Sequence, residues 1–132
     1  HLDARQIEAA LGSARLLPAD FLFIENVGNL ICPTAYDLGE DFKVAVLSVA
    51  EGDDKPFKYP AIFARAAVTV ISKVALLPHV PFDLAVVEEQ LRALNPGATI
   101  LRTCATTGDG IDAWCELLAT RLTEKRRASA SA

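Results

Sequence analysis

The sequence predicts an α/β fold, a mostly parallel sheet with helices on both faces. Two observations predict it. Four short runs, residues 21–25, 44–49, 68–72 and 99–103, are almost continuously apolar rather than alternating, as in strands buried on both faces of a parallel sheet. Segments with helical spacing of apolar residues lie between and around them, and such alternation builds βαβ units with right-handed crossovers. At 132 residues the chain is long enough for one domain with its own core, not two.

The elements follow in order. Asp3 with Gln6 makes a capping-box start to a helix over about 3–14. Asp20-Phe21-Leu22-Phe23-Ile24 follows Pro18 and reads as the first strand, ending abruptly at Glu25. The second strand is Val44-Ala45-Val46-Leu47-Ser48-Val49, and Pro60 sits near the first turn of a short helix to about residue 66. After the third strand, Asp83 caps a helix with Leu84, Val87, Leu91 and Leu94 on one face, stopped by Pro96-Gly97. The fourth strand leads through a glycine-containing turn to a last helix, about 110–126. It is expected to bury Ile111, Trp114, Cys115, Leu118 and Leu122.

Composition narrows the function classes. A net charge of -4 favours no nucleic-acid partner, since a phosphate-tracking surface shows a basic excess. The one basic cluster, Lys125, Arg126 and Arg127, ends a helix, where cations suit the dipole. No stretch has the length of a membrane span and no signal peptide is visible, so no membrane partner is expected. Three cysteines without paired spacing point to a reducing, cytoplasmic compartment. Absence of methionine, with His1 at the start and Arg-Ala-Ser-Ala-Ser-Ala at the end, suggests a piece of a longer protein. Residues 126–132 read as a disordered tail.

The chemistry gathers at the carboxyl ends of the predicted strands, where ligands bind in open α/β sheets. Glu25-Asn26-Val27-Gly28-Asn29-Leu30-Ile31-Cys32-Pro33 brings a carboxylate, a glycine that permits close backbone approach, and a soft metal ligand out of one strand. Ser72-Lys73-Val74-Ala75 follows the third strand. Thr103-Cys104-Ala105-Thr106-Thr107-Gly108-Asp109-Gly110 follows the fourth. Each alone is a common strand-to-loop turn. Cys104 and Cys115 are assigned to the core, and His79, after Pro78, to solvent.

The order and spacing of the three together resemble the P-loop GTPases. The strings Glu25-Asn26-Val27-Gly28-Asn29-Leu30-Ile31-Cys32-Pro33 and Glu51-Gly52-Asp53-Asp54-Lys55-Pro56, with Lys58-Tyr59-Pro60, sharpen the resemblance to the nickel-handling HypB family over residues 1 to 122. The sister urease accessory family, UreG, is less similar because it lacks the cysteine-proline string. The resemblance implies the C-terminal part of a GTPase domain over residues 1–125, with GTP or GDP and Mg²⁺ as ligands. Its catalytic switch residues would be Asp3, Glu25 and Gly28. Ser72, Lys73, Cys104 and Ala105 would form the base pocket, and His1 with Cys32 a Ni²⁺ or Zn²⁺ site shared across a homodimer. The implied role is a GTP-regulated nickel metallochaperone working with other hydrogenase-maturation proteins. The rivals are a catalytically inactive metal-binding or dimerisation module and a urease-type nickel accessory GTPase.

Two departures from the family pattern matter. The guanine motif carries Ala75 where the family has an aspartate. A methyl group cannot accept the base's hydrogen bonds, each contributing about 1.5–3 kcal/mol when charge-assisted. The phosphate-cradling Gly-x-x-x-x-Gly-Lys-Ser/Thr loop is not found in these residues. Phosphoryl transfer by this polypeptide alone is therefore not expected, and the first strand of the sheet is expected to lie outside it.

Overall fold

The computed structural model describes residues 2–13, 18–26 and 37–132. Three parallel strands, β1 (Val44–Ser48), β2 (Val68–Ser72) and β3 (Thr99–Arg102), lie in the order β1-β2-β3. Val44 pairs with Val68 and Ser48 with Ser72, while Val68 pairs with Thr99 and Ile71 with Arg102. Helix α1 (Ala4–Ser13) precedes the sheet; α2 (Lys55–Lys58) and α3 (Pro60–Arg65) connect β1 to β2; α4 (Leu84–Leu94) connects β2 to β3; and α5 (Ile111–Ala130) follows. The α/β class and the parallel sheet are as the apolar runs predict.

The core forms where one face of the sheet meets the connecting helices. Ala45, Leu47 and Ile71 pack with Phe63 of α3 and Val87 and Leu91 of α4, all nearly inaccessible to water. At about 1.5–3 kcal/mol for each fully buried large apolar side chain, this cluster is the main source of stability. The predicted stripe of α4 is the buried one: Val87 and Leu91 are interior, and Leu84 and Leu94 are packed against them. Its N-cap is also as predicted, with the Val86 amide donating to Asp83 Oδ1 at 3.1 Å. At α1 the capping box closes reciprocally. The Asp3 amide donates to Gln6 Oε1 and the Gln6 amide to Asp3 Oδ1, both at 2.9 Å.

Three expectations are corrected. Residues 21–25 are not a strand: Phe21, Leu22 and Phe23 are 41%, 59% and 67% exposed and make no ladder. An apolar run supplies β-propensity, but a strand exists only through a neighbouring backbone, and the described residues place none beside it. Cys115 is exposed, not core, because α5 packs only loosely. Ile111, Trp114, Leu118 and Leu122 are half-buried, and Cys115 turns off their stripe. Finally, α5 runs on to Ala130, past the expected end at Arg126. Ion pairs of Lys125 with Asp41 and of Arg126 with Asp20 hold its later turns. No helix among the described residues is long and apolar enough to cross a membrane.

Candidate functional site

The carboxyl ends of β2 and β3 bring two of the predicted motifs into contact. β2 ends at Ser72, whose hydroxyl turns back toward the Leu47 carbonyl at 3.4 Å. Lys73 then adopts the left-handed conformation, φ 62° and ψ 34°, the only such residue other than glycine among those described. That geometry costs roughly 1–3 kcal/mol and persists only where surroundings enforce it. It turns the chain sharply into the 3₁₀ segment Val74–His79, with Leu76 N–H donating to the Lys73 carbonyl at 2.9 Å. Lys73 and Ala75 are exposed on this turn, as is His79.

The loop after β3 docks on that turn. Thr103 N–H donates to the Ile71 carbonyl at 2.8 Å, and Val74 N–H donates to the Thr103 carbonyl at 3.1 Å. Cys104 closes a small antiparallel bridge with Asp109, its amide donating to the Asp109 carbonyl at 2.9 Å. Cys104 is 4% exposed, and its thiol lies 3.3 Å from the Thr106 hydroxyl. Hydrogen bonds from the Thr106 and Thr107 side chains, then from the Thr107 and Ala75 amides, pull its pKa down to about 6 against the opposing effect of burial. The Val74–Thr103 hydrogen bond thus ties the turn after β2 to the loop that holds this thiol. Ser72, Lys73, Cys104 and Ala105 belong to one place. The expectation that Cys104 is buried holds, but it is a hydrogen-bonded thiol rather than a small hydrophobe.

Gly110 locks the loop from below. Its φ is +71°, and a Cβ there would lie 1.9 Å from the Arg102 carbonyl oxygen. Only glycine fits so close to another backbone.

The other predicted residues are less complete. His1, Gly28 and Cys32 lie outside the described residues. Asp3 spends one oxygen on the α1 cap, and Glu25 is exposed. Their flanks touch, for Leu2 N–H donates to Asn26 Oδ1 at 3.3 Å. Among the described residues no three His, Cys, Asp or Glu side chains gather to hold a metal ion.

Sequence reasoning missed the ionic cluster beside the β3 end. Glu88 of α4 is buried, its Oε1 accepting from Arg102 Nε at 2.5 Å and its Oε2 from Arg102 Nη2 at 2.9 Å and Arg92 Nη2 at 3.1 Å. These bonds, those of Arg102 first, hold the Glu88 carboxyl below the usual range and raise Arg102. The Glu88 to Arg92 spacing was the one signal available in the sequence.

Residues 3–102 match the family described as CobW/HypB/UreG, nucleotide-binding domain. The hydrogenase maturation factor HypB of Escherichia coli strain K12 is 49% identical over 121 residues, covering 92% of this chain and 42% of that protein. Among solved structures, the hydrogenase maturation factor HypB from Archaeoglobus fulgidus superposes with a TM-score of 0.84 at 43% identity, over 90% of this chain and 63% of that one. HypB from Helicobacter pylori in complex with nickel gives 0.87 at 36%, over 95% of this chain and 60% of that one. The chain therefore spans less than half the length of its E. coli relative.

Proposed function

The chain belongs to the CobW/HypB/UreG nucleotide-binding family, a homologue of hydrogenase maturation factors, and on that premise we propose that it is the base-recognition and metal-gripping part of a GTP-regulated nickel metallochaperone for NiFe-hydrogenase maturation. What supports it most directly is the docking of the two motifs on each other at the sheet's carboxyl edge, where Val74 N–H donates to the Thr103 carbonyl at 3.1 Å. Ligands of α/β proteins bind at that edge. Lys73, exposed on its left-handed turn, would lay its stem along the base, and the Cys104-Ala105 turn would offer a backbone amide to the base's carbonyl oxygen.

Nickel is the cargo in this reading. His1 and Cys32, with their copies in a homodimer, would supply two imidazoles and two thiolates, a soft set suited to Ni²⁺ or Zn²⁺. Magnesium takes one or two carboxylates together with phosphate oxygens. Asp3 and Glu25 would be those carboxylates, and Gly28 would sense the terminal phosphate. Cys32 follows Glu25 by seven positions, so one segment would couple nucleotide state to metal grip.

The test titrates Ni²⁺ and Zn²⁺ against this polypeptide and against Cys32→Ala, and GDP against the wild type and against Lys73→Ala. Metal binding weakened at least tenfold by Cys32→Ala supports the metal assignment; equal affinity removes Cys32 from the site. GDP binding abolished by Lys73→Ala supports the base pocket, and binding unaffected by it refutes the pocket.

A further inference from the structure

We propose that Glu88 and Arg102 are positioning residues, a clamp that sets the two base-pocket loops relative to each other. The proposal rests on the base-pocket reading above. Arg102 is the last residue of β3 and lies in register with Ile71, so it sits one residue before both Ser72 and Thr103. Two hydrogen bonds between the segments start from this point, Thr103 N–H to the Ile71 carbonyl and Val74 N–H to the Thr103 carbonyl, while Gly110 packs the far end of the β3 loop against the Arg102 carbonyl. A small rotation of the β3 end would be passed directly to Thr103 and Cys104 and, through the Thr103 carbonyl, to the Val74 amide of the turn after β2.

The clamp suits that task. Arg102 grips Glu88 with two parallel hydrogen bonds, which fix orientation as well as distance. The Glu88 side chain is 7% exposed while that of Arg102 is 57% exposed, so the carboxylate is anchored in the body of α4 and the strand end is held to it. Arg92 occupies Glu88 from the solvent side and steadies it further. Stability alone is a poor reason for this arrangement. Replacing a buried ion pair by well-packed apolar side chains of similar volume is often neutral or stabilising. What an apolar contact lacks is the directional grip.

The experiment compares the wild-type polypeptide with the double variant Glu88→Leu plus Arg102→Met, which keeps volume and leaves no lone buried charge. Amide exchange by NMR and GDP affinity by calorimetry are read beside the melting temperature. The expected result is a melting temperature within a few degrees of wild type and unchanged exchange along the β1–β2 ladder. The Cys104 and Gly108 amides exchange at least tenfold faster, and GDP binds at least tenfold more weakly. Unchanged loop exchange overturns the proposal. So does acceleration shared equally by the β1–β2 ladder, which marks a purely structural role. Should the wild type bind no GDP while the loop amides still respond, the base-pocket reading falls and the clamp stands.

Discussion

Replacing Gly110 by alanine is the sharpest perturbation this fold offers. Two separate costs arise. The residue sits at φ +71°, where a Cβ costs roughly 1–2 kcal/mol. That Cβ would also lie 1.9 Å from the Arg102 carbonyl oxygen and 3.0 Å from its carbon, both backbone atoms that cannot swing aside. Forcing the two segments apart adds about 1–3 kcal/mol, as overpacking generally does. The total, roughly 2–5 kcal/mol, is a large share of the 5–15 kcal/mol by which domains are stable. At about 3–5 °C per kcal/mol for a chain of this size, the melting temperature should fall by about 6–25 °C. Gly108→Ala isolates the first cost, since its φ is +83° but no atom lies within 4 Å of its added Cβ. The entropy that alanine removes from the unfolded chain is the same for both and cancels in the comparison. Gly97→Ala, with ordinary φ and its nearest atom at 3.6 Å, should be neutral or stabilised by up to about 1 kcal/mol. Thermal unfolding followed by circular dichroism decides. Gly110→Ala melting within about 2 °C of Gly108→Ala would refute the close packing of this turn on β3.

Three further outcomes are expected. Phe63→Ala, at a side chain only 1% exposed, should cost about 3–5 kcal/mol in urea unfolding, and a loss under about 1 kcal/mol would show that α3 does not seal the core. Asp83→Ala should cost about 1 kcal/mol through the lost α4 cap, with Asp83→Ser retaining most of it. Thiolate absorption near 240 nm should reveal one cysteine titrating at about pH 6, absent from Cys104→Ser. Because this pKa is depressed from 9.0, its stabilisation is complete only above about pH 9 and is lost as pH falls through 6. Stability should therefore rise between pH 6 and 9 more steeply in the wild type than in the variant. A titration at the ordinary thiol value would contradict the hydrogen-bonded loop.

What could be read from the sequence was whatever short-range chemistry decides. β2, the cap of α4 and its Val87–Leu91 face depend on local pattern and were legible. So was the grouping of Ser72, Lys73, Cys104 and Ala105, because consecutive parallel strands end on the same edge of the sheet. Residues 21–25 were misread because strandhood is a property of two segments, and only one is visible in a run of letters. Glu88 was passed over for the opposite reason: a carboxylate on a helix reads as solvated, and its burial follows from where Arg102 arrives. Cys115 failed on angle as well as on the loose packing of α5, one residue beyond Trp114 and turned away from the contact.

The Phe21-Leu22-Phe23-Ile24 run, exposed over its first three residues, has a colloidal consequence. Short apolar segments of high β-propensity, free of proline and low in charge, are the ones that template aggregation. Here the run is bracketed by Asp20 and Glu25, carboxylates placed as gatekeepers on either side. Asp20 is drawn toward Arg126, which tethers one end of the run to α5. The electrostatic protection local to this run is therefore carried by those two carboxylates. Acid, which neutralises them, and concentrated salt, which screens them, both turn this stretch from a spectator into an adhesive.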